Sequence, residues 1–268
     1  MKLLNKISTA LLLAAATLAL PSASAAPIKV AVLSGANPAG SWGLAANQLN
    51  NDTFFDFSAT LLTGSSITSA SALSGYDVVV IGGSGHSTNE YSAATLAALK
   101  DFMQAGNGVV NTGWSRYGVM GSSGQALADA DFITPVLANN SYSHVQSGTV
   151  VMNNTTHAIT KNVDNISIGS CCFETGVLDL GATSLATVNG SVALAYQESV
   201  GRSVYLGLMY VSSVTSYNNG ALRNGNPDRL FEQAVAWAAD GTEVPEPGSI
   251  ALLGLGLAGV FLSRRRKV

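Results

Sequence analysis

The stretch Tyr76-Asp77-Val78-Val79-Val80-Ile81-Gly82-Gly83 limits the fold more than any other part of this chain. An unbroken Val/Ile run between turn-forming residues describes a strand covered on both faces, the situation of a strand inside a parallel sheet. Ser92 to Gln104 follows, with Leu96, Leu99, Phe102 and Met103 at helical spacing and Gly106 beyond it as a C-cap. Gly108-Val109-Val110-Asn111 supplies the next strand. Strand, helix and strand in so short a span predict a right-handed βαβ crossover.

The neighbouring segments extend the pattern. Ile28 to Leu33 reads as a first buried strand, Trp42 to Leu49 as a helix and Phe57 to Leu62 as a second strand. From Asp129 to Asn189 the periodicity weakens and turn residues multiply, which predicts a β-rich insertion or sheet extension. Ser191 to Gln197 and Arg202 to Leu208 form a hairpin signal, and Asn226-Pro227-Asp228 opens a terminal helix, Arg229 to Ala239. The expected class is α/β with a mostly parallel central sheet, spanning residues 26–240.

Both ends carry addresses. Residues 1–25 place Lys2 and Lys6 before an apolar stretch from Leu11 to Leu20, then Pro21 and the small residues Ser22 to Ala25. This order is that of a secretory signal, with Ala23-Ser24-Ala25 as the cleavage site and a mature start at Ala26. The stretch of about ten apolar residues is too short for a bilayer core that needs roughly 20. At the other end, residues 241–268 hold Pro245, Glu246, Pro247, an apolar run from Ile250 to Leu262, and then Arg264, Arg265, Arg266 and Lys267. Proline and glycine break any preceding helix, and the cations stop the run from following into lipid.

These three parts in this order resemble the PEP-CTERM sorting signal. The resemblance implies processing by an exosortase-type membrane enzyme, transient inner-membrane anchoring through a short hydrophobic helix, and delivery to the envelope or outside in bacteria that make exopolysaccharide.

Between the ends, residues 26–243 carry seven Lys and Arg against fifteen Asp and Glu, a net charge of minus eight. Such a domain repels phosphate backbones, which argues against nucleic-acid binding. The only two cysteines, Cys171 and Cys172, are adjacent and close only a strained ring; a vicinal disulfide, free thiols and an intermolecular bridge all stay open. With three histidines and no spaced ligand set, neither a metal nor a cofactor is expected.

The opening strand, Tyr76 to Gly83, the helix leading to Gly106-Asn107-Gly108-Val109-Val110-Asn111, Gly201 to Gly207 before a Trp-bearing helix, and Asn153 to Thr160 with His157 in a turn occur in one order. Together they resemble the class I glutamine amidotransferase-like superfamily, within it the trehalose-utilisation-type domains. The resemblance implies a flavodoxin-like sandwich with its site at the carboxyl ends of the parallel strands. It also implies a sharp turn after Val109-Val110-Asn111 holding a cysteine nucleophile. Here that turn reads Asn111-Thr112-Gly113-Trp114-Ser115, and no histidine follows Leu206, so amidotransferase chemistry is not expected.

The candidate ligand-binding residues lie on two loops at that edge. Ser84, His86 and Ser87 follow the best strand, in a glycine-rich loop that lets backbone amides approach a ligand; His86 is the candidate for any catalytic role. Asn111, Thr112, Trp114 and Arg116 follow the next strand, where an aromatic face beside hydrogen-bond donors suits a sugar. Gly83-Ser84-Gly85 lacks the spacing of a hydrolase nucleophile elbow, and Glu174 has no visible partner carboxylate. Three readings remain: a surface or matrix protein binding carbohydrate or another polymer such as exopolysaccharide, a hydrolase of an extracellular saccharide, and a structural biofilm-matrix component.

Overall fold

The computed structural model describes residues 26–36, 41–51, 53–138, 143–169, 173–211 and 219–240. The signal segment with Ala25, Cys171 and Cys172, and the tail with Pro245, Glu246, Pro247, Arg264, Arg265 and Arg266 lie outside these residues. Pro27–Glu243 forms one compact unit.

The strands are β1 (Ile28–Ser34), β2 (Phe57–Thr63), β3 (Val78–Ile81), β4 (Gly108–Thr112), β5 (Ser143–Val145), β6 (Gly148–Met152), β7 (Ile166–Ile168), β8 (Phe173–Thr175), β9 (Thr183–Val188), β10 (Ser191–Glu198) and β11 (Arg202–Leu206). The helices are α1 (Trp42–Leu49), α2 (Ala93–Gln104), α3 (Ser115–Val119), α4 (Gly124–Phe132) and α5 (Gly225–Asp240). One nine-stranded sheet runs β2-β1-β3-β4-β11-β10-β9-β6-β7, and β5 pairs with β8 separately. The first five strands are mutually parallel, in the order of flavodoxin-like folds. The other four are antiparallel, so the expected parallel strands form the larger part of a sheet that is mixed as a whole. Short hairpins join β9 to β10 and β10 to β11, because antiparallel neighbours need no crossover.

The Val/Ile run does what its composition requires. Val78 and Val80 join a core with α1 and α5 on one face; Val79 and Ile81 join a second core with Leu96, Leu99, Phe102 and Met103 of α2 on the other. Each such side chain contributes about 1.5–3 kcal/mol on burial. Helix α2 starts where Ser92 Oγ accepts the Thr95 amide at 3.1 Å, a cap that contributes about 1 kcal/mol.

The stretch from Asp129, expected to be β-rich, begins in helix, because α4 continues through Phe132. Ala130 and Ile133 anchor it in the second core, and Lys100 Nζ on α2 meets Asp129 Oδ1 at 2.8 Å. That support comes from tertiary packing, which no local periodicity announces.

Strand β2 is an uncharged sheet edge, and edges of that kind invite pairing with other chains. Asn50 closes the middle of it: its Oδ1 accepts the Ala59 amide at 2.7 Å and its Nδ2 donates to the Ala59 carbonyl at 2.9 Å. The side chain thus imitates a peptide unit of a neighbouring strand. Asn50→Ala is expected to leave the fold intact but open this edge, giving concentration-dependent dimers or larger species by analytical ultracentrifugation; an unchanged monomer would refute the blocking role.

Candidate functional site

The turn from β4 into α3 is the most constrained backbone at the carboxyl edge. Trp114 occupies it at φ 61°, ψ 5°, a left-handed conformation rarely tolerated by a residue with a side chain. Its glycine neighbours are closely approached by other backbone. A Cβ on Gly113 would lie 2.6 Å from Met209 Cα, and one on Gly83 would lie 2.0 Å from the Trp114 carbonyl oxygen. Gly118 then donates its amide to that same carbonyl at 2.8 Å, closing the first turn of α3.

The exposed start of α3 is filled from within the chain. Glu174, fully buried on β8, accepts the Arg116 amide at 3.2 Å and the Tyr117 amide at 2.8 Å, and Tyr205 Oη donates to it at 3.3 Å. A carboxylate there answers amides that the helix cannot pair internally. Burial pushes the Glu174 carboxyl up to about 7, against the pull of the Arg116 guanidinium and of these hydrogen bonds. Arg116 is 2 % exposed; its Nε donates to the Leu137 carbonyl at 3.1 Å and its Nη1 to that of Thr175. The insertion therefore covers this part of the edge, with Leu137, Glu174 and Thr175 as the covering residues.

The other expected site residues separate into inside and outside. Asn111 is buried, its Nδ2 donating to the carbonyls of Ile133 at 2.8 Å and Val204 at 3.3 Å. Thr112 is buried too, its Oγ1 donating to the Leu208 carbonyl at 2.8 Å and accepting the Tyr210 amide. Ser84 is buried against Glu90, which accepts both its amide, at 3.0 Å, and its hydroxyl. His86 is exposed, its amide donating to Ser84 Oγ at 3.1 Å, and Ser87 Oγ accepts the Asn89 amide at 3.1 Å.

Trp114, expected to contact a ligand, is buried, and what the fold brings to the surface is the pair of rings packed on it. Tyr117, half-buried, meets it edge-on with centroids 5.9 Å apart, and exposed His144 on β5 tilts against it at 6.0 Å. Gly85 borders the indole, since a Cβ there would lie 3.3 Å from it. Gln146 Nε2 and His144 Nε2 are 3.1 Å apart. His144 stands directly opposite Glu174 in the β5–β8 pair, so one strand pair supplies both the ring beside Trp114 and the carboxyl beneath α3. His144 and the role of Glu174 escaped the sequence reading, because the contacts join β8 to α3 across 57 and 58 residues with no local signal. Among the described residues no group of three or more His, Cys, Asp or Glu could hold a metal ion.

Comparisons with known proteins bear on the tail and on the domain separately. Residues 243–267 match the PEP-CTERM protein-sorting motif, which implies export, processing by exosortase and a place at the cell surface. Among the described residues no helix is long and apolar enough to cross a membrane. No curated protein matches the sequence. Among solved structures, a ThuA-like protein from Bacteroides uniformis aligns with TM-score 0.58 at 14% identity, over 82% of this chain and 95% of that one. A ThuA-like protein from Parabacteroides merdae gives 0.56 at 14%, over 82% and 94%. A cytoplasmic protein from Salmonella typhimurium gives 0.57 at 13%, over 79% and 99%. At these identities the likeness concerns the fold, and it agrees with the trehalose-utilisation-type resemblance read from the strand and turn motifs. This chain thus carries a PEP-CTERM protein-sorting motif behind a domain of ThuA-like fold.

Proposed function

We propose that the protein is an exported surface component, released from a signal segment after Ala25 and processed at its tail, whose ThuA-like domain binds a carbohydrate or another polar polymer without turning it over. The observation that carries the reading is Trp114, left-handed in the turn where the resembling family holds a cysteine nucleophile and this chain has none. An indole has no nucleophilic atom for acyl transfer; Trp114 is itself buried, and the rings packed on it, half-buried Tyr117 and exposed His144, supply the accessible faces that suit the apolar face of a pyranose. The hydrolase reading has less support. Arg116 and Glu174 are turned inward and buried, while His86 stands exposed on another loop.

The test is a glycan array probed with the exported protein, with Tyr117→Ala as the variant because Tyr117 is only half-buried. The expected result is retention of a neutral or acidic glycan by the wild type and a loss of about tenfold in affinity for the variant, equivalent to ~1.4 kcal/mol. Absence of retention on every glycan would remove the carbohydrate reading. Release of reducing ends from a bound glycan would favour the hydrolase.

A further inference from the structure

The two most exposed large apolar side chains among the described residues, Leu180 at 92 % and Val200 at 68 %, lie on one edge of the sheet, opposite the candidate site. Val200 tips the hairpin between β10, which ends at Glu198, and β11, which begins at Arg202. Thr183 at the start of β9 pairs with Tyr196, and Gln197 Nε2 donates to the Leu180 carbonyl at 3.1 Å, which sets the Leu180 turn beside that hairpin. Two partly exposed rings, Tyr196 and His157, pack with buried Trp237 beside the same hairpin. Tyr196 and His157 have centroids 4.2 Å apart, Tyr196 meets Trp237 edge-on at 5.3 Å, and the Arg202 guanidinium covers the Trp237 ring at 5.2 Å.

Helix α5 ends on this same edge, where Arg202 Nη1 donates to the Trp237 carbonyl at 3.3 Å. The description of the chain ends at Asp240, and the sorting motif begins at residue 243. We propose that this edge is a docking surface for a phospholipid bilayer, used while the apolar run Ile250 to Leu262 is held in the membrane. The proposal rests on the sorting reading of the tail, and three features argue for it.

First, the accessible residue types are those of a membrane interface: the aliphatic tips Leu180 and Val200, then Tyr196, His157 and Arg202, each with an apolar body and a polar end suited to the headgroup region. Second, the tether is short. Residues 241–249, between α5 and the apolar run, span at most about 30 Å when fully extended, so the edge meets the lipid at an effective concentration of roughly millimolar and a weak contact suffices. Third, Arg202 is already engaged by Glu198 at 2.9 Å, in a domain of net negative charge. The attraction is therefore apolar, works on uncharged phosphatidylcholine and does not weaken with added salt.

The experiment is hydrogen–deuterium exchange on the exported chain, tail included, in phosphatidylcholine nanodiscs. It is compared with the Leu180→Asp/Val200→Asp double variant in the same discs, after correction for intrinsic exchange. The expected result is exchange about fivefold slower or more in residues 178–182 and 198–202 of the wild type, unchanged by salt. Equal exchange in the two proteins, with both in discs, overturns the docking surface and leaves the sorting reading intact. Failure of the chain to enter discs at all overturns both. Slowing that appears only when two chains share a disc overturns the bilayer as occupant and assigns the edge to a second copy.

Discussion

Glu174→Ala is expected to destabilise the domain by about 3 kcal/mol or more, since it strands two buried amides and the Tyr205 hydroxyl at about 1–3 kcal/mol each. The substitution leaves the Arg116 guanidinium buried beside an empty space and strands the Arg116 and Tyr117 amides that now end on the carboxylate. Urea denaturation checks it, and a loss under about 1 kcal/mol would mean that α3 is capped in some other way. The same carboxyl predicts an unusual pH dependence. Its value in the fold, about 7, lies above the ordinary 4.5, so the folded state holds the proton more tightly than the unfolded chain does. Stability attributable to Glu174 is therefore fully present below about pH 4.5 and is lost as pH rises through about 7.

For Glu174 that loss is on the order of 3 kcal/mol. Glu232 on α5 acts in the same direction: burial also pushes it up to about 7, while its Oε2 accepts the amides of Phe54 at 2.8 Å and Phe55 at 3.0 Å. The melting temperature should accordingly rise on acidification from pH 8 towards pH 5, where many proteins are level or falling. Glu174→Gln should remove roughly half of that rise and Glu174→Gln/Glu232→Gln most of it. A wild-type profile that is flat over this interval would show that neither carboxyl is displaced.

Gly83→Ala is the second large effect. The added Cβ would sit 2.0 Å from the Trp114 carbonyl oxygen, a backbone atom that also accepts the Gly118 amide, so relief requires moving the whole turn. A loss of about 3 kcal/mol or more is expected, at or beyond the upper end for overpacked sites. The ring group should move with the turn. Near-ultraviolet circular dichroism of Trp114 and its neighbours should change in Gly83→Ala even where the protein stays folded. A variant with native stability and an unchanged aromatic spectrum would contradict the geometry of the turn.

Much of the architecture is legible in short stretches of sequence. Val78 to Ile81 announces a strand buried on both faces because its neighbours offer nothing polar to either side, and the two cores divide that strand residue by residue. Ser92 announces the start of α2 through its own hydroxyl. The antiparallel half was less clear, since its strands are short and their pairing is set by partners rather than by composition. Helix α4 was missed for a related reason: its place depends on α2, through Lys100 and the second core, more than on its own amphipathicity.

The candidate site divides in the same way. The absence of a cysteine after β4 is plain in Thr112-Gly113-Trp114-Ser115, and the expectation against amidotransferase chemistry rests on that stretch of sequence alone. The left-handed conformation of Trp114 could not be read there, because nothing local favours it; the turn is held by close backbone approaches at Gly83 and, through Met209 and Leu208, at Gly113. Asn111, Thr112 and Arg116 look like edge residues in sequence, yet carbonyls of Ile133, Val204, Leu208, Leu137 and Thr175 claim their hydrogen bonds.

By itself, the sequence determined the address and the framework of this protein. A sorting tail is a linear signal read by another enzyme, and a βαβ unit is specified by residues close in the chain. Only the tertiary structure decided what the carboxyl edge presents and where the exposed apolar tips gather. Glu174 reaches α3, and Leu180 reaches the α5 end of the sheet, through contacts between distant segments, whose energies exist only once the intervening chain has been folded and its entropy paid.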